Sequence, residues 1–236
     1  KKKDVFEKEN EKGKFYFIRT KPQEILTKDL LIKAVLTSIA SLSWRKSMKW
    51  SDTNLIWGRP LRSILAVFNK KLLSFNYGHL KTTDFVIIEQ DLKKKIKKIK
   101  NFKEYQLFLK DNKILLDHEE RKKIILKKFG SICKSKNYEE NFDKNLLDEV
   151  VNIVENPNIL LVDFDKNYLE IPDEIIISTL KNHQRYFPLF DKKNNLTNFF
   201  LVVANKSDKE NLIKQGNKRV VEARLSDAKF FWDKDK

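Results

Sequence analysis

Three short stretches of this chain combine cations, hydrogen-bonding side chains and aromatic rings at close spacing. One reads Lys181-Asn182-His183-Gln184-Arg185-Tyr186-Phe187-Pro188. Lys181 and Arg185 carry charge suited to phosphate, His183 and Gln184 can bond a base edge or a backbone, and Tyr186 offers a stacking face. His183 and Gln184 equally suit a helix-to-strand corner, where they would satisfy buried backbone groups. A second stretch, residues 216–232, holds Arg219 and Arg224, and a third places Arg59 and Arg62 on either side of Pro60. The chain has only eight arginines, and Arg59, Arg62, Arg185, Arg219 and Arg224 lie in these stretches, with Arg121 in a further motif at 117–121. Lysine is the default cation here, so an arginine hints at a geometric demand that only a planar fork meets. Glu119 and Glu120 are paired carboxylates, but acidic residues at a helix start are favoured by the helix dipole and need no catalytic role.

The elements that must position these groups follow from periodicity. Val221, Leu225, Ala228 and Trp232 recur at spacings of three and four, with Val220 and Phe231 beside them. This predicts an amphipathic helix opening at Asn217 as N-cap, after a short helix near 208–215. Residues 181–188 sit between a short helix (175–180) and a hairpin of strands 185–190 and 199–203, turning through residues 191–195. Residues 159–162 and 168–171 read as strands, and residues 146–156 as a helix ended by Pro157. Asp117 opens a helix to about residue 134. Pro60 forces extended geometry on the residue before it, so Arg59 enters from a loop. Arg62 then begins a strand at 63–68 that turns at Asn69-Lys70 into 72–75. Thr27 caps a helix over 28–42, residues 14–19 form a strand, and the lysine-rich 91–100 reads as a solvated, basic helix face before a further helix at 101–110. Strands and helices interleave in no regular βαβ order, which predicts an α+β fold of mixed helices and short antiparallel or mixed sheets. Residues 1–236 are expected to form one α+β region, with 1–90 and 91–236 as the alternative division into two subdomains.

Composition narrows the chemistry. The 236 residues carry 49 Lys plus Arg against 33 Asp plus Glu, a formal net charge of +16. Such an excess favours a polyanion, because neutralised phosphates release condensed counterions. The opening Lys1-Lys2-Lys3-Asp4 lacks the apolar segment of a signal peptide, and no apolar run reaches membrane-spanning length. Cys133 is the only cysteine, which excludes an internal disulfide and fits a reducing cytosol. His79, His118 and His183 lie far apart, so no metal-ligand spacing arises. Five glycines leave little material for a phosphate-cradling loop, and neither a Walker-type loop nor a nucleophile elbow is present. The chain is expected to bind no ATP and no metal by itself and to hold no catalytic residues.

The stretch from Gly216 to Phe231 resembles the "GN-x-R-V-x-x-A-R-L-x-D-A-x-F-F" signature of the β subunit of bacterial glycyl-tRNA synthetase, the α2β2 form. Lys46 to Trp50 and Trp57 to Arg62 are similar to that family's "K-x-M-R-W" and "F-x-R-P" stretches. Asp117 to Arg121 resembles its "D-x-E-E-R", residues 181–188 its "K-x-H-Q-K-Y-F-P", and Val203-Ala204-Asn205 its "V-A-N". Asn156 stands where the family's "V-E-W-P" has tryptophan. Tyr77-Gly78-His79-Leu80 does not reproduce the family's "G-H-R-F".

The resemblance implies a division of labour. The class II catalytic core belongs to the α subunit, which uses ATP and Mg. The β subunit is longer than this chain and continues into an HD-type domain and an anticodon-binding region, so this sequence looks like an internal piece. A fold similar to domains of the phenylalanyl-tRNA synthetase β subunit is implied. The function expected is a noncatalytic tRNA-binding and assembly region of glycine–tRNA ligase in the cytoplasm, with the α subunit and tRNA(Gly) as partners. Arg59, Arg62, Lys181, His183, Gln184, Arg185, Tyr186, Arg219 and Arg224 are its RNA-binding candidates. Two other readings stay open. One is a hydrolytic editing domain, although glycine's small pocket already rejects larger side chains. The other is a structural platform whose charge is incidental.

Overall fold

Short hairpins build the first half of the chain, and a sheet packed on both faces builds the second. The computed structural model describes residues 5–19, 25–90 and 93–235. Lys1 to Asp4, read above for a leader, and Asp91, which starts the basic stretch, lie outside these residues. The chain divides into two compact units, Lys1–Tyr105 and Gln106–Lys236.

In the first unit, β1 (Val5–Asn10) and β2 (Gly13–Ile18) form an antiparallel hairpin whose twelve residues are all exposed. Helix α1 (Thr27–Ala40) starts one residue earlier than expected. Thr27 is its first residue and not its cap, since Leu26 occupies that place without a side-chain bond. Strands β3 (Met48–Trp50) and β4 (Leu55–Trp57) pair antiparallel, and the Trp50 indole donates to the Trp57 carbonyl at 2.9 Å. Trp44 packs on Trp57 at 4.7 Å between ring centres. Gly58 makes that approach possible, because a Cβ there would come within 2.9 Å of the Trp44 ring.

The expected strand over 63–68 is two short pieces, β5 (Ile64–Leu65) and β6 (Val67–Phe68). β6 turns through Asn69 and Lys70, with φ of 48° and 61°, into β7 (Lys71–Leu72). Two successive left-handed residues suit the twist of a tight hairpin. β8 (Asn76–Tyr77) and β9 (Leu80–Thr83) complete a three-stranded sheet in the order β5-β9-β8. Buried Thr82 holds it together, donating to the Leu73 carbonyl at 2.9 Å and accepting from the Phe75 amide at 3.1 Å.

β10 (Phe85–Gln90) and β11 (Lys93–Lys98) then pair antiparallel. The helix expected over 91–100 is therefore corrected to a strand. Leu92, Ile96 and Ile99 have helical spacing, but β10 supplies a β-branched, apolar partner, and pairing with it outweighs local pattern. Ile96 lies opposite Ile87, and Ile99 is buried.

Helix α2 (Phe102–Asp111) spans the division between the units. In the second unit, α3 (His118–Lys136) is capped by the Asp117 side chain and ends at left-handed Asn137. α4 (Lys144–Ile153) is capped by Asp143, which accepts from the Asn145 and Leu146 amides. β12 (Asn158–Asp163) leads to a 3-10 turn, Lys166–Glu170, where a strand over 168–171 was expected. The Asp165 side chain accepts from the Asn167 amide and winds the chain at that point. α5 (Asp173–Ser178) runs into a π turn, Thr179–His183. β13 (Phe187–Phe190) and β14 (Leu196–Ala204) form the expected hairpin.

α6 (Leu212–Asp235) is one continuous helix. The separate helix near 208–215 and the Asn217 cap are both corrected. The Asp208 carboxylate accepts from the Ile213 and Lys214 amides at 3.0 and 2.7 Å, so the cap lies upstream. Gly216 sits inside the helix, a cost of about 1 kcal/mol relative to alanine that tertiary packing offsets.

The antiparallel sheet β12-β14-β13 separates two cores. Alternation along β14 sends Leu201 toward Ile125 and Phe129 of α3 and Leu147 and Val151 of α4. Phe200 and Val202 face Ile176, Leu180, Val221 and Leu225 on the opposite side. Helices thus cover both faces of one short sheet, and the fold is α+β.

Candidate nucleic-acid interface

Residues 181–188 form the corner where the π turn enters β13. The backbone closes this corner itself: the Arg185 amide donates to the Lys181 carbonyl and the Tyr186 amide to the Leu180 carbonyl, at 3.2 and 2.9 Å. His183 is exposed and Gln184 half-buried, and among the described residues neither side chain bonds the corner's backbone.

Arg185 adopts φ of 59°, a left-handed conformation that costs a side-chain-bearing residue about 1–2 kcal/mol. Its side chain offsets that strain. Nε donates to Glu149 Oε1 at 2.6 Å, and Nη1 donates to the carbonyls of Lys181 and Asn182. Lys181 is paired in turn with Asp143. The Lys181 bond, followed by the Leu146 amide, holds the Asp143 carboxyl below its usual range. Two adjoining hollows of about 250 and 260 Å³ lie between this corner and the start of α4, sharing Asp143, Leu146 and Lys181. Their two cations face two carboxylates, so a phosphate entering here would have to displace Asp143 or Glu149.

Tyr186 is corrected from a free stacking face to a core residue. Its ring is 9% exposed and stacks on Phe200 with centres 5.2 Å apart. Its hydroxyl donates to the Asn217 side-chain oxygen, while Asn217 Nδ2 donates to the Ile213 carbonyl at 2.6 Å. Burial raises the Tyr186 pKa, partly opposed by the nearby Arg224 charge. The structure therefore brings the 181–188 and 216–232 stretches together, through a tyrosine–asparagine bond that joins α6 to the corner.

On α6 Lys214, Lys218 and Lys229 are fastened to carboxylates and the two arginines are not. Lys218 donates to Asp163 at 2.7 Å, with Lys214 behind it, and Lys229 pairs with Glu170. Glu222 accepts from the Asp165 amide at 3.1 Å. Val221 and Leu225 are buried as the spacing predicts, whereas Val220 and Phe231 are exposed. Arg219 and Arg224 are exposed, and among the described residues neither forms an ion pair.

In the first unit, Arg59 is exposed on the loop after β4, as Pro60 requires. Arg62 also lies in a loop and does not start a strand. It pairs with Glu89 of β10 at 3.2 Å, with 78% of its side chain exposed. Arg121 in α3 has a buried Nε without a hydrogen-bond partner among the described residues. Asp143, Glu149 and Asn217 are the site residues that sequence reasoning missed. Asp143 and Asn217 had a local signal, as side chains able to cap a following helix, and Asn217 was read only as that cap.

Among the described residues no group of three or more His, Cys, Asp or Glu could hold a metal ion. None of their helices is long and apolar enough to cross a membrane.

The family described as Glycyl-tRNA synthetase beta subunit matches residues 1–236. The chain is 35% identical over 222 residues to the glycine–tRNA ligase beta subunit of Rickettsia akari (strain Hartford), covering 94% of this chain and 34% of that protein. It is 36% identical over 222 residues to the corresponding subunit of Rickettsia peacockii (strain Rustic), covering 94% and 33%. It is 34% identical over 233 residues to that of Dictyoglomus thermophilum, covering 98% and 34%. The chain thus spans about a third of the length of the curated relatives it matches.

Proposed function

The chain belongs to the glycyl-tRNA synthetase β-subunit family, and from that premise we propose that it is a noncatalytic tRNA-binding and assembly region of glycine–tRNA ligase. It supports attachment of glycine to tRNA(Gly) by an α subunit, which supplies the ATP- and Mg-dependent chemistry, in the cytoplasm. The observation that carries this reading is the sorting of cations on α6. Lys218 and Lys229 tie the helix to Asp163 of β12 and Glu170 of the 3-10 turn, while Arg219 and Arg224 project without carboxylate partners among the described residues. An exposed guanidinium with no internal anion is free to fork two phosphate oxygens. Arg59 presents the same chemistry from its loop. Lys181 and Arg185 hold the corner in shape, and His183 beside them remains open to solvent for an RNA contact.

The test uses the complete α and β enzyme. Arg219→Lys or Arg224→Lys keeps the charge and removes the fork. Each is expected to weaken tRNA(Gly) affinity or charging by roughly 1–2 kcal/mol at unchanged melting temperature. This chain alone is expected to show no glycine-dependent ATP–pyrophosphate exchange. Exchange that survives purification away from the α subunit, or wild-type tRNA affinity in both arginine variants, would overturn the proposal.

A further inference from the structure

The corner of residues 181–188 holds two hollows that the arginine contacts proposed above leave unused. The chain is irregular there twice over, in the π turn Thr179–His183 and at left-handed Arg185. Such irregularities cost stability and gather at binding sites. Both border the open space beside the start of α4.

The two hollows differ in chemistry. The first, of about 250 Å³, is walled by Phe142, Ile177, Phe187, Pro188 and Phe190, with Asn141 beside them. Phe142 and Phe187 both pack on Phe129, whereas no other ring lies against Phe190 among the described residues. Phe190 is half-buried and lines the hollow, so its ring is open to a planar guest. Asn141 is exposed, and its carboxamide forms no hydrogen bond among the described residues. A ring beside a carboxamide suits the flat face and polar edge of a nucleobase.

The second hollow, of about 260 Å³, is polar and is lined by Asn145, Glu149, Lys181, Asn182 and Arg185. Asp143, Leu146 and Lys181 belong to both, so a guest in one abuts the other. Lys181 is paired with Asp143 and Arg185 with Glu149, so the charges cancel and a phosphate gains little there. A hydroxyl gains more. Glu149 spends Oε1 on Arg185, while its Oε2 forms no hydrogen bond among the described residues. That oxygen can accept from a sugar hydroxyl without breaking the ion pair. Asn141, Asn145 and Asn182 are exposed, so both hollows open at the surface and a strand can enter and leave.

We propose that these hollows receive one unpaired nucleotide of RNA, its base against Phe190 and Asn141 and its ribose 2′-hydroxyl donating to Glu149 Oε2. The site rests on the tRNA-binding function proposed above and adds a contact of another kind, separate from the α6 arginines. The flanking phosphates stay in solvent. The contact therefore selects RNA over DNA and unpaired over paired nucleotides, with little salt dependence.

The experiment uses the complete α and β enzyme with two probes. The first is a short oligouridylate carrying 4-thiouridine at its centre, photo-crosslinked to the enzyme and mapped by mass spectrometry. Crosslinks are expected in the peptides that hold Asn141, Phe142 and Phe190. A 2′-deoxy version of the probe should crosslink there about tenfold less at limiting concentration, having lost one hydrogen bond to a charged acceptor. The second probe is a tRNA(Gly) transcript, titrated across a potassium chloride series. Phe190→Leu, which keeps an apolar side chain but loses the stacking face, should weaken its binding about tenfold. The slope of log affinity against log salt should stay at the wild-type value, because no phosphate contact is lost. If Phe190→Leu lowers the melting temperature, Asn141→Ala carries the test, with a loss of roughly fivefold. Equal crosslinking by the ribose and deoxyribose probes overturns the proposal, as does a shallower salt slope in either variant. Crosslinks at the corner with wild-type tRNA affinity in both variants mark a site for a free nucleoside and overturn the RNA contact. An absence of crosslinks there alongside weakened binding by Arg219→Lys removes the hollow and leaves the proposed function standing, whereas wild-type tRNA affinity in Phe190→Leu, Asn141→Ala and Arg219→Lys removes both.

Discussion

The two units spend the same residue types in opposite ways. In the second unit large side chains are buried in two clusters, one on each face of the β12-β14-β13 sheet, and the cations that reach back to the sheet are paired with carboxylates. In the first unit the buried apolar residues among those described are few: Leu55, Leu73, Phe75, Ile88 and Ile99. Val5, Phe6, Phe15, Tyr16, Phe17 and Ile18 of the β1–β2 hairpin are all exposed. A two-stranded hairpin is marginal by itself, so local pairing holds the first unit where dispersed packing holds the second. The lesson concerns function as much as stability. Where a charge is paired inside the fold it shapes the site, and where it is left facing water it is available to a ligand.

The largest expected effect tests the packing side of that contrast. Phe129 is fully buried and lies 4.7 Å, ring centre to ring centre, from both Phe142 and Phe187. Phe129→Ala should cost about 3–5 kcal/mol of unfolding free energy in urea, followed by far-UV circular dichroism. Phe17 stacks on Phe6 at 5.7 Å but is 43% exposed. Phe17→Ala should cost less than about 1 kcal/mol. Equal losses at the two positions would remove the difference between the units.

The next effect separates pinned from free arginine within the second unit. Arg185→Lys keeps a cation near Glu149 but loses the fork that reaches the Lys181 and Asn182 carbonyls. A drop of roughly 1–2 kcal/mol in stability is expected. Arg219→Lys should leave the melting temperature where it is, because no internal partner is lost. Thermal melts of both variants decide the matter, and a stability loss confined to Arg219→Lys would invert the assignment.

That assignment also marks how far the sequence could be read. Asp117 announces α3 as a short acceptor at the helix start, and the Asp191-to-Asn195 loop announces the β13–β14 hairpin, because each signal is local. β11 was illegible for the opposite reason. Leu92, Ile96 and Ile99 fit a helix by spacing, and only pairing with the neighbouring β10 makes Lys93–Lys98 a strand. Asn217 after Gly216 looks like a cap, yet Asp208 supplies one earlier and the asparagine is recruited by Tyr186 instead. At the candidate site, Lys181, His183, Arg185, Arg219 and Arg224 were singled out by residue type and by the stretches they lie in. Their states were not, since Arg185 meets Glu149 across 36 residues and Lys218 meets Asp163 across 55. Pairing of this kind is a property of the folded chain, and no local pattern encodes it.

The smallest expected effect is a pH dependence that belongs to the second unit. Asp163 is held below its usual pKa chiefly by the hydrogen bond from Lys218, and Asp143 chiefly by the one from Lys181. A carboxyl whose folded pKa is depressed binds fewer protons folded than unfolded in the window between the two values. Its stabilisation is complete above the unfolded value of about 3.9 and is lost as pH falls through the folded value. Lys218 gives the mirror image. Its pKa is raised by the same bond, so its contribution is present below about 10.4 and lost as pH rises through the folded value. Asp143 and Asp163 keep about a third of their side chains exposed, so solvent screening limits each pair to roughly 0.2–1 kcal/mol. Asp143→Asn is the cleaner variant, because asparagine still caps α4 while losing the charge. Combined with Asp163→Asn it should lower stability at pH 7 and flatten the fall in stability between about pH 5 and pH 2. Urea midpoints measured across that range would show it. A fall as steep in the double variant as in the wild type would place the acid-sensitive carboxylates elsewhere in the chain, and the paired charges of the second unit would then shape the corner without stabilising it.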